Sequence, residues 1–442
     1  MHDINMKLKF GLLLLIISFV KFGTCSAQTP DISDLIRRAN AGNVEAQYNV
    51  GCCYEKGDGV KQRDSIAVTW FLKAANNGFA KAQCNLGMRY FHGIGVVQSY
   101  SKAIEWYQKA ADQGSVGAQY ELALCYYNGI GVEKDYSKAV KWLQNADDQG
   151  DVESQYKLAL CYENGKGVPQ SYTKAVEQYQ KAADKGYAKA ECSLGWCYKE
   201  GLGVTKDYAK TIEWYQKAAN HGYPNGMYEL GICYYKGIGV KQSYSEAVEW
   251  YQKAADQDLT EAQWSLGLCY YKGNGVVQND SIAALLFQEA ANKGFPWAQC
   301  YLGMCYENGK GVEQNDSSAV FWFQRAANQD LDQAQCYLGL CYESGKGATQ
   351  NYSESVMWWQ KAAAQGHAWA ECYLGLCYEL GHGVNQNYAD AYYWYKKAAE
   401  QGIDFAGIIC HDVAFCTRAS KAKGSISAIT IQPIISGKSK IK

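Results

Sequence analysis

Three kinds of side chain in this sequence invite a chemical reading: cysteine, histidine, and serine followed by lysine. There are 18 cysteines, enough for a disulfide framework or for several thiolate metal sites. Histidines are sparse. After residue 27 they are His92, His221, His367, His382 and His411, and no two stand four apart as a zinc pair on a helix would. Cys410-His411 lacks further spaced ligands, so no metal or cofactor is expected. Ser99-x-x-Lys102 and Ser171-x-x-Lys174 match the serine–lysine pattern of penicillin-recognising enzymes, yet no Ser-Asp-Asn or Lys-Thr-Gly accompanies them. Gly-x-Gly recurs ten times, but it follows a helical pattern and not a strand, which removes the dinucleotide reading.

The spacing of these residues points to the elements that carry them. Copies of one unit begin at Ala46, Ala82, Ala118, Ser154, Ala190, Gly226, Ala262, Ala298, Ala334 and Ala370, each 36 residues after the last. A fixed period of this length is the signature of a solenoid. Counted from that first residue, position 5 is Leu in nine copies, position 6 is Gly in eight and Ala in two, and position 9 is always Tyr. Gly fills positions 12 and 14 in all ten, and Trp fills position 25 in eight.

Two helices per unit follow. Positions 1, 5, 8, 9 and 12 share one face at the spacing of a buried stripe, while positions 3, 4, 7, 10 and 11 lie away from it. The glycines end this A helix, and a B helix follows with its Trp in the core. Position 6 takes only Gly or Ala, so another helix is expected to pass close there. Ser99 and Ser171 open B helices where other copies have Asp135 or Asp207, the place of an N-cap. Nine cysteines, Cys53 and Cys377 among them, occupy position 8; five, including Cys84 and Cys372, occupy position 3. The two positions are about 7.5 Å apart along the axis and on different faces, so no pair within one helix can form a disulfide. Pairing between neighbouring repeats stays open; buried free thiols are the expectation.

The pattern A-x-x-x-L-G-x-x-Y-x-x-G-x-G-V, then A-x-x-W-x-x-K-A-A, resembles the Sel-one-like repeat (SLR), a relative of the tetratricopeptide repeat. The resemblance runs over residues 31–405. It implies an all-α protein: a right-handed α/α superhelical solenoid of about ten 36-residue helix-turn-helix repeats. It also implies that A helices line the concave face and that the protein makes protein–protein contacts. It supplies no ligand. Some SLR proteins carry disulfides between successive helices near the end of helix B, and some have been described as β-lactamases or penicillin binders. Here helix B ends in an Ala-Ala pair without Cys.

The organisation expected along the chain is a signal peptide over 1–27, a capping helix over 31–45, ten repeats over 46–405, a closing helix over 406–417 and a disordered basic tail over 418–442. Lys7 and Lys9 precede an apolar run from Phe10 to Val20, too short to span a bilayer, and Cys25-Ser26-Ala27 suits a cleavage site. Export to a periplasm or the outside is expected, with lipidation at Cys25 the lesser alternative. The whole chain has net charge −1; without residues 1–27 it is −3, and without the six basic residues of the tail it is −9. An acidic solenoid is a poor binder of nucleic acid.

The functional expectation is an exported, non-catalytic scaffold that binds a protein or peptide of unknown identity through its concave face. The alternative is a cysteine-rich penicillin-binding or β-lactamase-like cell-wall protein. Position 7 is apolar throughout and includes Trp196, Ile232, Leu268, Met304, Leu340 and Leu376. Position 4 becomes aromatic in the last three repeats as Tyr301, Tyr337 and Tyr373, where earlier copies hold Asn, Glu, Lys or Ser. These nine residues are the candidate partner ladder. No catalytic and no metal-binding residue is assigned.

Overall fold

The computed structural model describes residues 32–403. The signal peptide expected over 1–27, the closing helix expected over 406–417 and the disordered tail expected over 418–442 lie outside the described residues. Within residues 32–403 there are twenty-one helices and no strand. A helix at Ile32–Asn40 precedes ten A/B pairs, which begin with Val44–Lys56 and Asp64–Asn76 and end with Ala368–Leu380 and Tyr388–Glu400. The chain divides into two compact units, Met1–Lys185 and Gly186–Lys442, the first ending after the B helix of the fourth repeat.

The turns are built alike. At the end of the eighth A helix, Gly309 adopts the left-handed conformation (φ 63°) and its N–H donates to the Cys305 carbonyl. Two residues on, Gly311 has φ 72°, and a Cβ there would run into the Asp280 carbonyl of the preceding B helix. Only glycine meets both demands. Nine of the ten B helices then start on a side-chain cap, the exception being the first, at Arg63. Ser99 Oγ accepts from the Lys102 backbone N–H at 3.5 Å, and Asp135 accepts from Lys138 at 2.9 Å.

The tight approach expected at position 6 is made by the unit's own B helix, through position 26. A Cβ on Gly267 would sit 2.7 Å from Cε1 of Phe287, and one on Gly87 would sit 2.6 Å from Cε1 of Tyr107. The rings at 26 are the deepest in the protein: Phe71, Tyr107, Tyr179, Tyr215, Phe287, Phe323, Trp359 and Tyr395 are all fully buried. Trp at position 25, expected in the core, sits at its edge. Trp70, Trp214, Trp322 and Trp358 are buried and Trp106, Trp142, Trp250 and Trp394 are half-buried. A lysine three residues on lies over six of these eight rings, as with Lys217 3.9 Å from the Trp214 ring.

Within each compact unit, polar rungs tie several repeats to the one before. The buried Gln299 at position 2 donates to the Ala291 carbonyl of the preceding B helix at 3.1 Å and accepts from Gln329 of its own unit at 2.8 Å. Gln83 does the same with Ala75 at 3.0 Å and Gln113 at 2.6 Å. At the turn, Lys310 donates to the Tyr271 hydroxyl at 3.3 Å, one repeat back. A buried amide with both ends satisfied fixes the register between repeats.

Candidate binding surface

All nine ladder residues belong to the second unit. The A helices there lie side by side; Ala188–Glu200 and Pro224–Lys236 touch directly. At position 7, Trp196, Ile232, Leu268, Met304 and Leu340 are half-buried and Leu376 is exposed. They are neither core nor free surface: Leu268, Met304 and Leu340 pack against clusters that their own B helix forms with the following A helix.

The tyrosines at position 4 are more committed to packing than their polar counterparts in earlier copies imply. Tyr337 stacks on Phe323 at 5.1 Å between centroids and 11° between planes, and Tyr373 stacks on Trp359 at 4.9 Å and 21°. Tyr301 tilts on Phe287 at 5.4 Å. In every case the lower ring is position 26 of the preceding repeat. The three tyrosines are half-buried, not freely exposed, and burial raises their hydroxyl pKa values, that of Tyr337 to about 12.

In three repeats with Tyr at position 3, the ring meets position 26 of its own B helix, whereas Trp264 meets Phe295 at 5.5 Å. Tyr48 meets Phe71, Tyr156 meets Tyr179 and Tyr228 meets Tyr251, each at 5.7 Å. Moving the ring from position 3 to position 4 therefore moves the ring–ring contact from position 26 of the same repeat to position 26 of the preceding one.

Position 3 was placed away from the buried stripe, and the structure corrects this. Cys300, Cys336 and Cys372 are buried, while Cys84 and Cys192 are half-buried. An inner helix of a solenoid is covered on two sides. Cys300 packs on Phe323 of its own B helix and on Ala334 and Leu338 of the next A helix. None of the fifteen cysteines among the described residues forms a disulfide. Burial pushes the Cys84 and Cys372 thiols up to about 11 and Cys377 to about 12, far from the thiolate that reacts or ligates. Arg89 replaces Cys at position 8 once, and its buried guanidinium pairs with Glu55 at 2.5 Å and Asp64 at 2.6 Å.

The serine–lysine pairs are occupied structurally. Both serines cap their helices, and Lys102 and Lys174 each lie 5.4 Å from a position 9 ring, Tyr90 and Tyr162. No cluster of three metal-ligating side chains occurs among the described residues.

Two aromatic residues that the sequence reading passed over border the ladder. Trp297 and Trp369, both exposed, stand at position 36, in the first turn of the next A helix. Trp369 lies 6.3 Å from Tyr373, and Trp297 lies 6.4 Å from Trp264. The signal was in the sequence, since the same position holds Lys81, Gly117, Glu153 and Lys189 in earlier copies.

Paired helices in register, with a strip of half-open apolar side chains on one side, define a helical-repeat solenoid. The profile of the Sel1 repeat matches ten times, over residues 44–79, 80–115, 116–151, 152–187, 188–223, 224–259, 260–295, 298–331, 332–367 and 370–403, and the chain belongs to the Sel1 repeat family. Among solved structures it is similar to a protective antigen present in uropathogenic Escherichia coli strains that displays an SLR fold. That pair shares 29% identity and a TM-score of 0.59, covering 91% of this chain and 99% of the other. It is also similar to a Sel1 repeat protein from Oxalobacter formigenes, with 28% identity and a TM-score of 0.54, covering 82% of this chain and 98% of the other. A comparison with curated proteins finds no match.

Proposed function

We propose that the protein is an exported, non-catalytic scaffold that holds a protein or peptide along the A-helix face of its second unit. The observation that carries this reading is the run of half-open aromatic and aliphatic side chains from Trp297 and Tyr301 to Trp369, Tyr373 and Leu376. Aromatic rings fixed by stacking lose little entropy when a partner covers them, which is what an anchoring residue needs. Membership of a solenoid family that commonly mediates protein contacts supports it. No helix among the described residues is long and apolar enough to cross a membrane. The export half of the reading rests on residues 1–27, and a similar solved protein that is a protective antigen is compatible with it.

The test uses the exposed members, because the stacked tyrosines also support the fold. Trp369→Ser with Leu376→Ser leaves stability within about 1 kcal/mol of the parent, as surface changes do. It weakens a partner captured by the parent protein and identified by mass spectrometry, by about 2 kcal/mol or more. Undiminished affinity in the folded variant removes this surface. Recovery of the chain outside the cytoplasm with Gln28 as its first residue supports export; a cytoplasmic chain that retains residues 1–27 refutes it.

A further inference from the structure

The outward face of the B helices changes character within the second unit. Position 24 is Thr69, Glu105, Lys141, Glu177, Glu213 and Glu249 in the first six repeats, then Leu285, Phe321, Met357 and Tyr393 in the last four. Leu285 is 60% exposed, Phe321 52% and Tyr393 51%. Phe321 and Tyr393 stand edge-on to the neighbouring Trp322 and Trp394, each at 5.1 Å. Nothing in the repeat requires this, since six copies fold with a polar residue at the same place.

The flanking charges change with it. In repeats two, four and five the order at positions 21, 24 and 28 is Lys, Glu, Lys, as in Lys210, Glu213 and Lys217. Lys217 reaches Glu213 at 2.7 Å. Laid on a second copy of itself, that face sets like charge on like charge. In the last two repeats the order becomes acid, apolar, base: Glu354, Met357, Lys361 and Asp390, Tyr393, Lys397. Lys361 lies 4.1 Å from the Trp358 ring, and Lys397 is 3.8 Å from Glu371. A two-fold axis running along the apolar row makes each B helix antiparallel to its counterpart. It sets Phe321 against Phe321 and brings the acid of one copy to the base of the other. Antiparallel helix dipoles add to the match. The row spans four helices, each about 20 Å long and 10 Å wide, so the face covers about 800 Å², the area a stable partner surface needs.

From this self-complementary order we infer that the last four B helices form an isologous interface between two copies of this chain. The surface lies on the B helices and is separate from the A-helix ladder proposed for partner binding.

Sedimentation velocity on the full chain from 1 to 100 µM tests it, with circular dichroism and a melting curve on every variant. The parent forms a concentration-dependent dimer. Phe321→Glu with Tyr393→Glu installs a residue that four earlier repeats carry at this position, and it raises the dimer dissociation constant at least tenfold. Lys361→Glu alone also weakens the dimer, and adding Glu354→Lys restores it, which distinguishes pairing across copies from a loss of folding. A parent that stays monomeric to 100 µM overturns the inference. So does a dimer that both sets of variants leave intact, or a monomeric parent whose capture of a different protein falls with the double glutamate variant.

Discussion

The junction between the second and third repeats and the junctions among the eighth, ninth and tenth are made at the same two positions with opposite chemistry. In the first unit, Tyr107 lies beneath Glu121 of the next repeat. Its hydroxyl is buried without a hydrogen bond, and burial pushes the Glu121 carboxyl up to about 7. In the second unit, Phe323 and Trp359 lie beneath Tyr337 and Tyr373, and the rings stack. The hydroxyl has passed from the B helix to the A helix, and a carboxyl under strain of desolvation has been replaced by an aromatic pair. The repeat demands a large side chain at position 26 against a small one at position 6, and it leaves the chemistry above that ring open. Variation at position 4 is thus available for function, while variation at position 26 is confined by size.

The largest break in this comparison comes from beneath the late stack. Trp359→Ala removes the ring on which Tyr373 lies and against which Gly339 packs, along with the indole N–H bond to the Cys336 carbonyl at 3.1 Å. We expect a loss of about 3–5 kcal/mol in denaturant unfolding. A loss under about 1 kcal/mol means the stack does not hold the repeats together.

Gly267→Leu attacks the feature both regions share. The new side chain meets Phe287 and overpacks the A/B interface, costing about 1–3 kcal/mol or more. An unchanged melting curve shows that the ring can move aside.

A smaller effect isolates the early junction. The ordinary carboxyl value of 4.5 holds for Glu121 in the unfolded chain, against about 7 in the folded one. Between those values the folded chain keeps a proton that the unfolded chain releases, so stability falls as pH rises through the window. Glu121→Gln removes that slope, raising stability at pH 8 by about 1–2 kcal/mol while changing little at pH 4. An equal effect at both pH values shows that the carboxyl is not charged against its surroundings.

The finest distinction is between two buried hydroxyls of the first unit. Tyr179 donates to Glu163 at 2.6 Å, whereas Tyr107 has no partner. Tyr179→Phe loses about 1–2 kcal/mol, and Tyr107→Phe stays within about 0.5 kcal/mol of the parent. Equal losses erase the difference between them.

Much of this architecture was legible in the residues. The 36-residue period and the paired glycines obey local rules that one sequence displays ten times, and the B-helix caps one that it displays nine times. The restriction at position 6 announced a close neighbour, but not which one. Trp at position 25 drew attention by its identity. The ring that fills the space, at 26, alternates among Phe, Tyr, Trp and Leu143, so its constancy is one of volume and was hidden. The cysteines at position 3 were misplaced because a helical wheel assumes one buried face, and an inner helix with neighbours before and after has two. The ladder showed in the change from polar residues to Tyr at position 4. The fact that those rings pack on the B helix of the preceding repeat depends on which helix lies beneath, and spacing alone does not carry that.

The rungs between repeats have a consequence for how the chain reaches this structure. Gln299 to Ala291 spans eight residues, Gln329 to Gln299 thirty, and Lys310 to Tyr271 thirty-nine. Every one of these bonds closes a short loop, and the loop does not lengthen as repeats are added, so the closure entropy per repeat stays constant along each unit. A chain built this way has low contact order. Folding can start wherever two neighbouring repeats first meet and then advance by one repeat at a time. Hydrogen exchange should follow that order, slow in the middle of a unit and progressively faster toward its last repeat, with no single step exposing all amides at once.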